Sequence, residues 1–159
     1  MNKVVLDTSV IVKSILAPRK SLPKDVYERE IETHKKCRKL IKLLDSRDFE
    51  VYIPNVALVE VASVLKRNGY HRLIPRVLES LSASYIFIPE EDIFELSIEV
   101  ATKTGASGFD CYFIATALLL NATLITDDKK MNRHARSIGL NSILIREKEL
   151  EEIKKKLGE

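Results

Sequence analysis

Apolar residues along this chain follow two rhythms. Short continuous β-branched runs read as buried strands: Lys3 to Leu6, Val51 to Ile53, Ser84 to Ile88, Ala122 to Ile125 and Ser142 to Ile145. Between them, apolar positions recur at helical spacing. Thr8 or Ser9 opens a helix to about Leu16, and Pro18 and Pro23 then mark a polar loop. A helix from about Glu30 to Leu44 follows, with Cys37, Leu40, Ile41 and Leu44 on one stripe. Further helices are expected from Val56 to Asn68, stopped by Gly69, and from His71 to Leu81. Three more run from Asp92 to Thr104, stopped by Gly105, from Gly108 to about Leu120, and to Ser137 ahead of a Gly139 stop. Residues 146–159 read as a charged C-terminal helix whose Leu150, Ile153 and Leu157 form a narrow apolar stripe.

Strands alternating with helices give an α/β class with a mainly parallel central sheet. At 159 residues, with no internal repeat or composition shift, the chain is expected to form a single domain over 1–159. In such sheets ligands bind outside the carboxyl ends of the strands. Asp7 and the Asp127-Asp128 pair stand at two of those ends.

Three long stretches carry almost no charge, and each contains one acid: Asp7 in Val4 to Val12, Glu60 in Val51 to Leu65, and Asp110 in Thr104 to Thr126. None of the three holds a Lys, Arg or His, although 31% of the chain is charged. A buried, unpartnered carboxylate costs several kcal/mol or changes its protonation state. Compensation must come from elsewhere in the chain or from a bound cation. Taken singly, Asp7 and Asp110 also read as helix N-terminal anions and Glu60 as half of a salt bridge. Together, and with Asp127 and Asp128 after the fourth strand, they form a hard-oxygen set without His or Cys. That chemistry suits Mg²⁺ or Mn²⁺ better than zinc.

Composition narrows the picture. The net charge of +3 permits a polyanionic partner without demanding one. Lys13, Arg19, Lys20 and Lys24 follow the first acid, and Lys129, Lys130, Arg133 and Arg136 follow the last. These can track phosphates irrespective of sequence, while no aromatic-rich strand offers a base-stacking platform. Cys37 and Cys111 are too few for a disulfide framework or a zinc cage, and His34, His71 and His134 share no ligand spacing. No run approaches the roughly 18 uninterrupted apolar residues of a spanning helix, so a cytoplasmic location without a membrane partner is expected.

The acids lie in an order that resembles the PIN-domain nucleases. Val4-Val5-Leu6-Asp7-Thr8-Ser9 resembles their opening strand and first acid, and Val59-Glu60-Val61 the helical glutamate. Phe109-Asp110, with Ala115 and Ala117, resembles the third motif, and Leu124-Ile125-Thr126-Asp127-Asp128 the closing strand with its Thr-x-Asp signature. The resemblance spans residues 2 to about 145 and implies a three-layer α/β/α Rossmann-like fold. It implies a metal site of Asp7, Glu60, Asp110 and Asp128, with Asp127 able to replace or assist Asp128 and with Thr126 and Ser9 orienting an acid or water. The activity implied is Mg²⁺- or Mn²⁺-dependent hydrolysis of RNA. In size and motif order the chain is most similar to the VapC-type toxin ribonucleases, which implies a cognate antitoxin and a homodimer. The connection from Ala17 to Glu30 is longer than in compact members of that group.

Two other readings stand beside this one. A catalytically silent PIN-like module would bind RNA or protein without cutting, although silent members typically lose an acid and this chain keeps the set. A phosphatase with Asp7 as nucleophile would expect a second Asp two residues on, where this chain has Ser9.

Overall fold

The computed structural model describes residues 2–46 and 49–158. The last residue of the expected C-terminal helix, Glu159, lies outside them. Five strands, β1 (Asn2–Leu6), β2 (Phe49–Pro54), β3 (Ile86–Ile88), β4 (Thr123–Thr126) and β5 (Ser142–Leu144), form one sheet in the order β3-β2-β1-β4-β5. Every pairing is parallel, with Val4 opposite Val51 and Val5 opposite Leu124. Val4, Val5, Leu6, Leu124 and Ile125 are fully buried, as expected of central strands covered on both faces.

Eight helices accompany the strands among the described residues: α1 (Thr8–Ile15), α2 (Lys24–Ser46), α3 (Val56–Arg67), α4 (Ile74–Ser84), α5 (Glu90–Thr104), α6 (Gly108–Leu120), α7 (Lys129–Ser137) and α8 (Leu150–Lys156). Right-handed crossovers require α1 to α4 on one face of the sheet and α5 to α7 on the other. The packing agrees, since α1 touches α2 and α3, α3 touches α4, and α6 touches α5, α7, β1 and β2. The expected three-layer α/β/α architecture is therefore present.

Several boundaries differ from the sequence reading. Helix α2 begins at Lys24 rather than Glu30, because Pro23 starts a turn whose carbonyl accepts from Tyr27 N–H, and the charged residues after it are good helix formers. The expected helix from His71 splits into a 3-10 turn, His71–Leu73, and α4, with Pro75 in the first turn of α4. Residues Ser84 and Tyr85 belong to the end of α4 and its cap, which shortens β3. The expected C-terminal helix is cut to Leu150–Lys156, preceded by a second 3-10 turn, Ile145–Glu147. Its Ile153 and Leu157 are buried against the body.

The order of strands reverses between β1 and β4, so the crevice at their carboxyl ends is the topological switch point of the sheet. Helix α3 follows β2 and runs back along it, and α6 runs down into the start of β4, so the first turns of both lie at this edge.

Candidate functional site

Four carboxylates line one cleft of about 310 Å³ at this edge: Asp7, Glu60, Asp110 and Asp128. Asp7 directly follows β1, Glu60 sits in the second turn of α3, Asp110 in the first turn of α6, and Asp128 is the N-cap of α7. Thr8, Ser9, Val12, Lys13, Val64 and Met131 complete the wall.

Asp7 is 4% exposed, and its Oδ2 accepts hydrogen bonds from Ser9 Oγ at 2.6 Å and Thr126 Oγ1 at 2.7 Å. Both hydroxyls are themselves fixed, because Asp127 N–H donates to Ser9 Oγ at 3.0 Å and Asp128 N–H to Thr126 Oγ1 at 2.9 Å. Thr126 is fully buried. A hydroxyl there must find a partner, and the Asp7 carboxylate is that partner. With Oδ2 doubly engaged, Oδ1 is the oxygen left for another ligand.

The electrostatics are unfavourable for the anions. Burial pushes the Asp7 carboxyl from 3.8 up to about 6 despite the two hydroxyl donors, and Asp110 and Asp128 push it the same way. Glu60 is pushed up to about 7 by burial and by Asp7 and Asp110, opposed by Thr8, which donates to Glu60 Oε1 at 3.4 Å, and by Arg67. Asp110 is raised by burial and by Asp128, with Ser107 working the other way. Among the described residues none of the four acids has a salt bridge.

Asp110 stands in the first turn of α6, as its reading as a helix N-terminal anion expects, but the side-chain cap bonds fall to Asp128. Asp7 and Ser107, at the N-caps of α1 and α6, make no side-chain cap bond, whereas Asp128 Oδ1 accepts from Lys130 N–H at 2.8 Å and Met131 N–H at 3.1 Å. Asp128 therefore spends one oxygen on α7 and has one free. The face of α3 around Glu60 is also less enclosed than its neighbours imply, since Val56 and Ala57 are buried but Ser63 is exposed.

Asp127 stands apart from the other four. Its side chain is fully buried, Arg146 Nε donates to Oδ1 at 2.8 Å and Arg146 Nη2 to Oδ2 at 2.8 Å, and Lys13 Nζ also donates to Oδ2. Burial works against this anion, but the bonds from Arg146 and Lys13 outweigh it and hold the carboxyl below its ordinary 3.8. Asp127 is absent from the cleft wall, and its lone pairs are taken by cations. The structure thus does not bring it to the expected acid set.

Sequence reasoning missed this cluster. Lys13 reads as a phosphate-tracking residue and Arg146 as part of a solvated helix, yet Lys13 also binds Glu30 Oε2 at 2.8 Å and its carbonyl contacts His34 Nδ1 at 2.5 Å. The available signal was Asp127 itself, one of two adjacent acids directly after an uncharged strand. Cys37 and Cys111 are both free and buried. Burial and the nearby Asp127 push the Cys37 thiol up to about 12, so it behaves as a packing group.

In this arrangement no three His, Cys, Asp or Glu side chains among the described residues converge closely enough to hold an ion. The donor set nonetheless fits a hard divalent cation. Mg²⁺ takes one or two carboxylates and keeps several waters, and these acids are oxygen donors without a salt bridge among the described residues. No helix of the described residues is long and apolar enough to cross a membrane.

The family model of the PIN domain matches residues 4–137. The chain belongs to the PIN domain family. This PIN domain is similar in fold to a chain of the FitAB complex bound to an IR36 DNA fragment, with a TM-score of 0.62 and 18% identity over 92% of this chain and 97% of that one. A chain of VapBC2 from Rickettsia felis, bound to a promoter DNA fragment, gives 0.62 and 16% over 89% and 97%. PAE2754 from Pyrobaculum aerophilum gives 0.57 and 15% over 98% and 89%. No curated protein matches the PIN domain described here.

Proposed function

We propose that this PIN domain protein is a Mg²⁺- or Mn²⁺-dependent endoribonuclease that hydrolyses RNA phosphodiester bonds, with the acidic cleft as its active site. The observation that carries the reading is the grouping of Asp7, Glu60, Asp110 and Asp128 around one cleft without a salt bridge among the described residues, whereas Asp127, buried like Asp7, has two cationic partners. Asp7, Glu60, Asp110 and the free oxygen of Asp128 would hold the cation, directly or through water. When bound, such a cation neutralises charge on a phosphate and acidifies a water for attack on phosphorus.

The chain's own groups divide the remaining work. Ser9 and Thr126 hold Asp7 in one orientation through Oδ2 and leave Oδ1 for the cleft. Thr8 steadies Glu60 across the cleft. Lys129 and Lys130, exposed at the start of α7, flank Asp128 and supply affinity for the RNA backbone that falls as salt rises. Retention of all four acids favours cleavage over a silent binding module, and Ser9, bound to Asp7, occupies the place where an aspartate-nucleophile phosphatase needs its second acid.

A toxin role with a cognate antitoxin is supported by the fold likeness to chains of FitAB and VapBC2. A homodimer and a cytoplasmic location belong to the same reading. The deciding experiment compares wild type and Asp7→Asn, both cleared of contaminating ribonuclease, on mixed RNA with Mn²⁺ and with chelator. Cleavage that requires Mn²⁺ and falls at least about 100-fold in Asp7→Asn is expected. Equal cleavage by the two proteins eliminates the assignment.

A further inference from the structure

The Asp127 cluster adjoins the acidic cleft, shares Lys13 with its wall, and is tied to Asp7 through the backbone of Asp127 and its neighbours. Asp127 is the middle residue of the Thr126-Asp127-Asp128 segment. Its flanks do the site's work, since Thr126 Oγ1 donates to Asp7 and Asp128 lines the cleft. The Asp127 backbone N–H orients Ser9 Oγ, the second donor to Asp7. Its carbonyl accepts from Arg146 Nη2 at 3.0 Å, so one guanidinium grips both the carboxylate and the main chain of the same residue. Arg146 is placed in turn by Lys36 of α2, whose Nζ donates to the carbonyl of Lys148 at 2.9 Å and approaches those of Ile145 and Arg146 at 3.4 and 3.5 Å. Arg146 lies beyond the segment 4–137 that matches the family.

We propose that Arg146, acting through Asp127, is a positioning residue for the acidic cleft: the 3-10 turn after β5 reaches back and fixes the Thr126–Asp128 segment, and so the geometry in which Asp7 and Asp128 meet a cation. This rests on the metal-dependent reading above. The bidentate fork is the reason for Arg, because it constrains the carboxylate and carbonyl together, whereas a lysine would supply charge at a single point. Outer partners that orient metal-binding carboxylates typically contribute 10- to 100-fold in metal affinity.

The test uses the full chain and Mn²⁺ alone, with binding followed by electron paramagnetic resonance and amide exchange measured without metal. Arg146→Ala is expected to bind Mn²⁺ at least about 10-fold more weakly and to exchange faster at the Asp127 and Asp128 amides, while Leu124 in the centre of β4 stays protected. Arg146→Lys is expected to recover part of the affinity. A folded Arg146→Ala with wild-type Mn²⁺ affinity overturns the proposal. If that variant fails to fold, Asp127→Leu with Arg146→Met removes the buried anion and its half-buried partner at once, leaves Lys13 to Glu30, and decides by the same criterion. Absence of Mn²⁺ binding to the wild type removes the nuclease reading itself, and the proposed coupling with it.

Discussion

Asp7 and Asp127 are both buried, lie on adjoining strand ends and are joined through one serine hydroxyl, yet their carboxyls are shifted in opposite directions. Asp127 is matched by two cations and its carboxyl is stabilised as an anion; Asp7 is matched by hydroxyls only and is pushed up to about 6. The protein has the means to neutralise a carboxylate in this part of the fold and does so at Asp127. Leaving Asp7, Glu60 and Asp110 without such partners makes the cleft a place where added positive charge is favoured.

The contrast can be broken most forcefully at Asp127. Asp127→Asn is expected to lower stability by about 2–4 kcal/mol, because Arg146 and Lys13 keep their charges in a partly buried setting and lose their shared anion. Urea unfolding at pH 7 measures this, and a loss under about 1 kcal/mol would mean that the cluster is not the structural half of the pair. Asp7→Asn should act in the opposite direction. At pH 8 without metal it is expected to gain about 1–3 kcal/mol, since the wild type must ionise a group that folding holds at about 6 against an ordinary 3.8.

The sign over pH separates the two acids further. The raised carboxyl of Asp7 contributes stability that is complete below about pH 4 and disappears as pH rises through about 6. The lowered carboxyl of Asp127 contributes stability present above its ordinary 3.8 and lost as pH falls through its folded value. Thermal unfolding across pH 3 to 8 should therefore show a shallower decline on the alkaline side in Asp7→Asn, with Glu60 and Asp110 carrying the rest, and a shallower decline on the acid side in Asp127→Asn. The smallest expected effect is Thr126→Val, about 1 kcal/mol, from an unmatched Asp128 amide and one fewer donor to Asp7. It should also move the Asp7 titration, followed by carbon-13 NMR, upward; a downward movement would mean that Thr126 does not stabilise the anion.

Much of this was legible in the chain. The apolar runs around Val5, Ile53 and Leu124 mark strands because both faces of a parallel sheet are covered, and Gly105 marks the end of α5 because its φ of 68° suits glycine. Asp7, Glu60 and Asp110 stood out as lone acids in uncharged segments, and the fold does bring them to one cleft. Residues Lys24 to Glu30 were not legible as helix, because they carry Val26 and Tyr27 as their only large apolar side chains and no stripe develops before Thr33. The role of Asp127 was hidden for another reason. Its partners arrive from α1 and from the turn at Ile145–Glu147, and nothing local distinguishes a carboxylate that will meet an arginine from one that will not.

The strand order carries a consequence in time. β1 lies between β2 and β4, so this strand, made before both, waits for residues 123–126 before its second edge is covered. Asp127 then waits for Arg146. During synthesis at about 5–20 residues per second the emerging chain holds Asp7 and Glu60 for several seconds before the segment that orients them exists. The cleft is assembled late, and a nascent protein or one truncated before Arg146 carries the acids without their organisation.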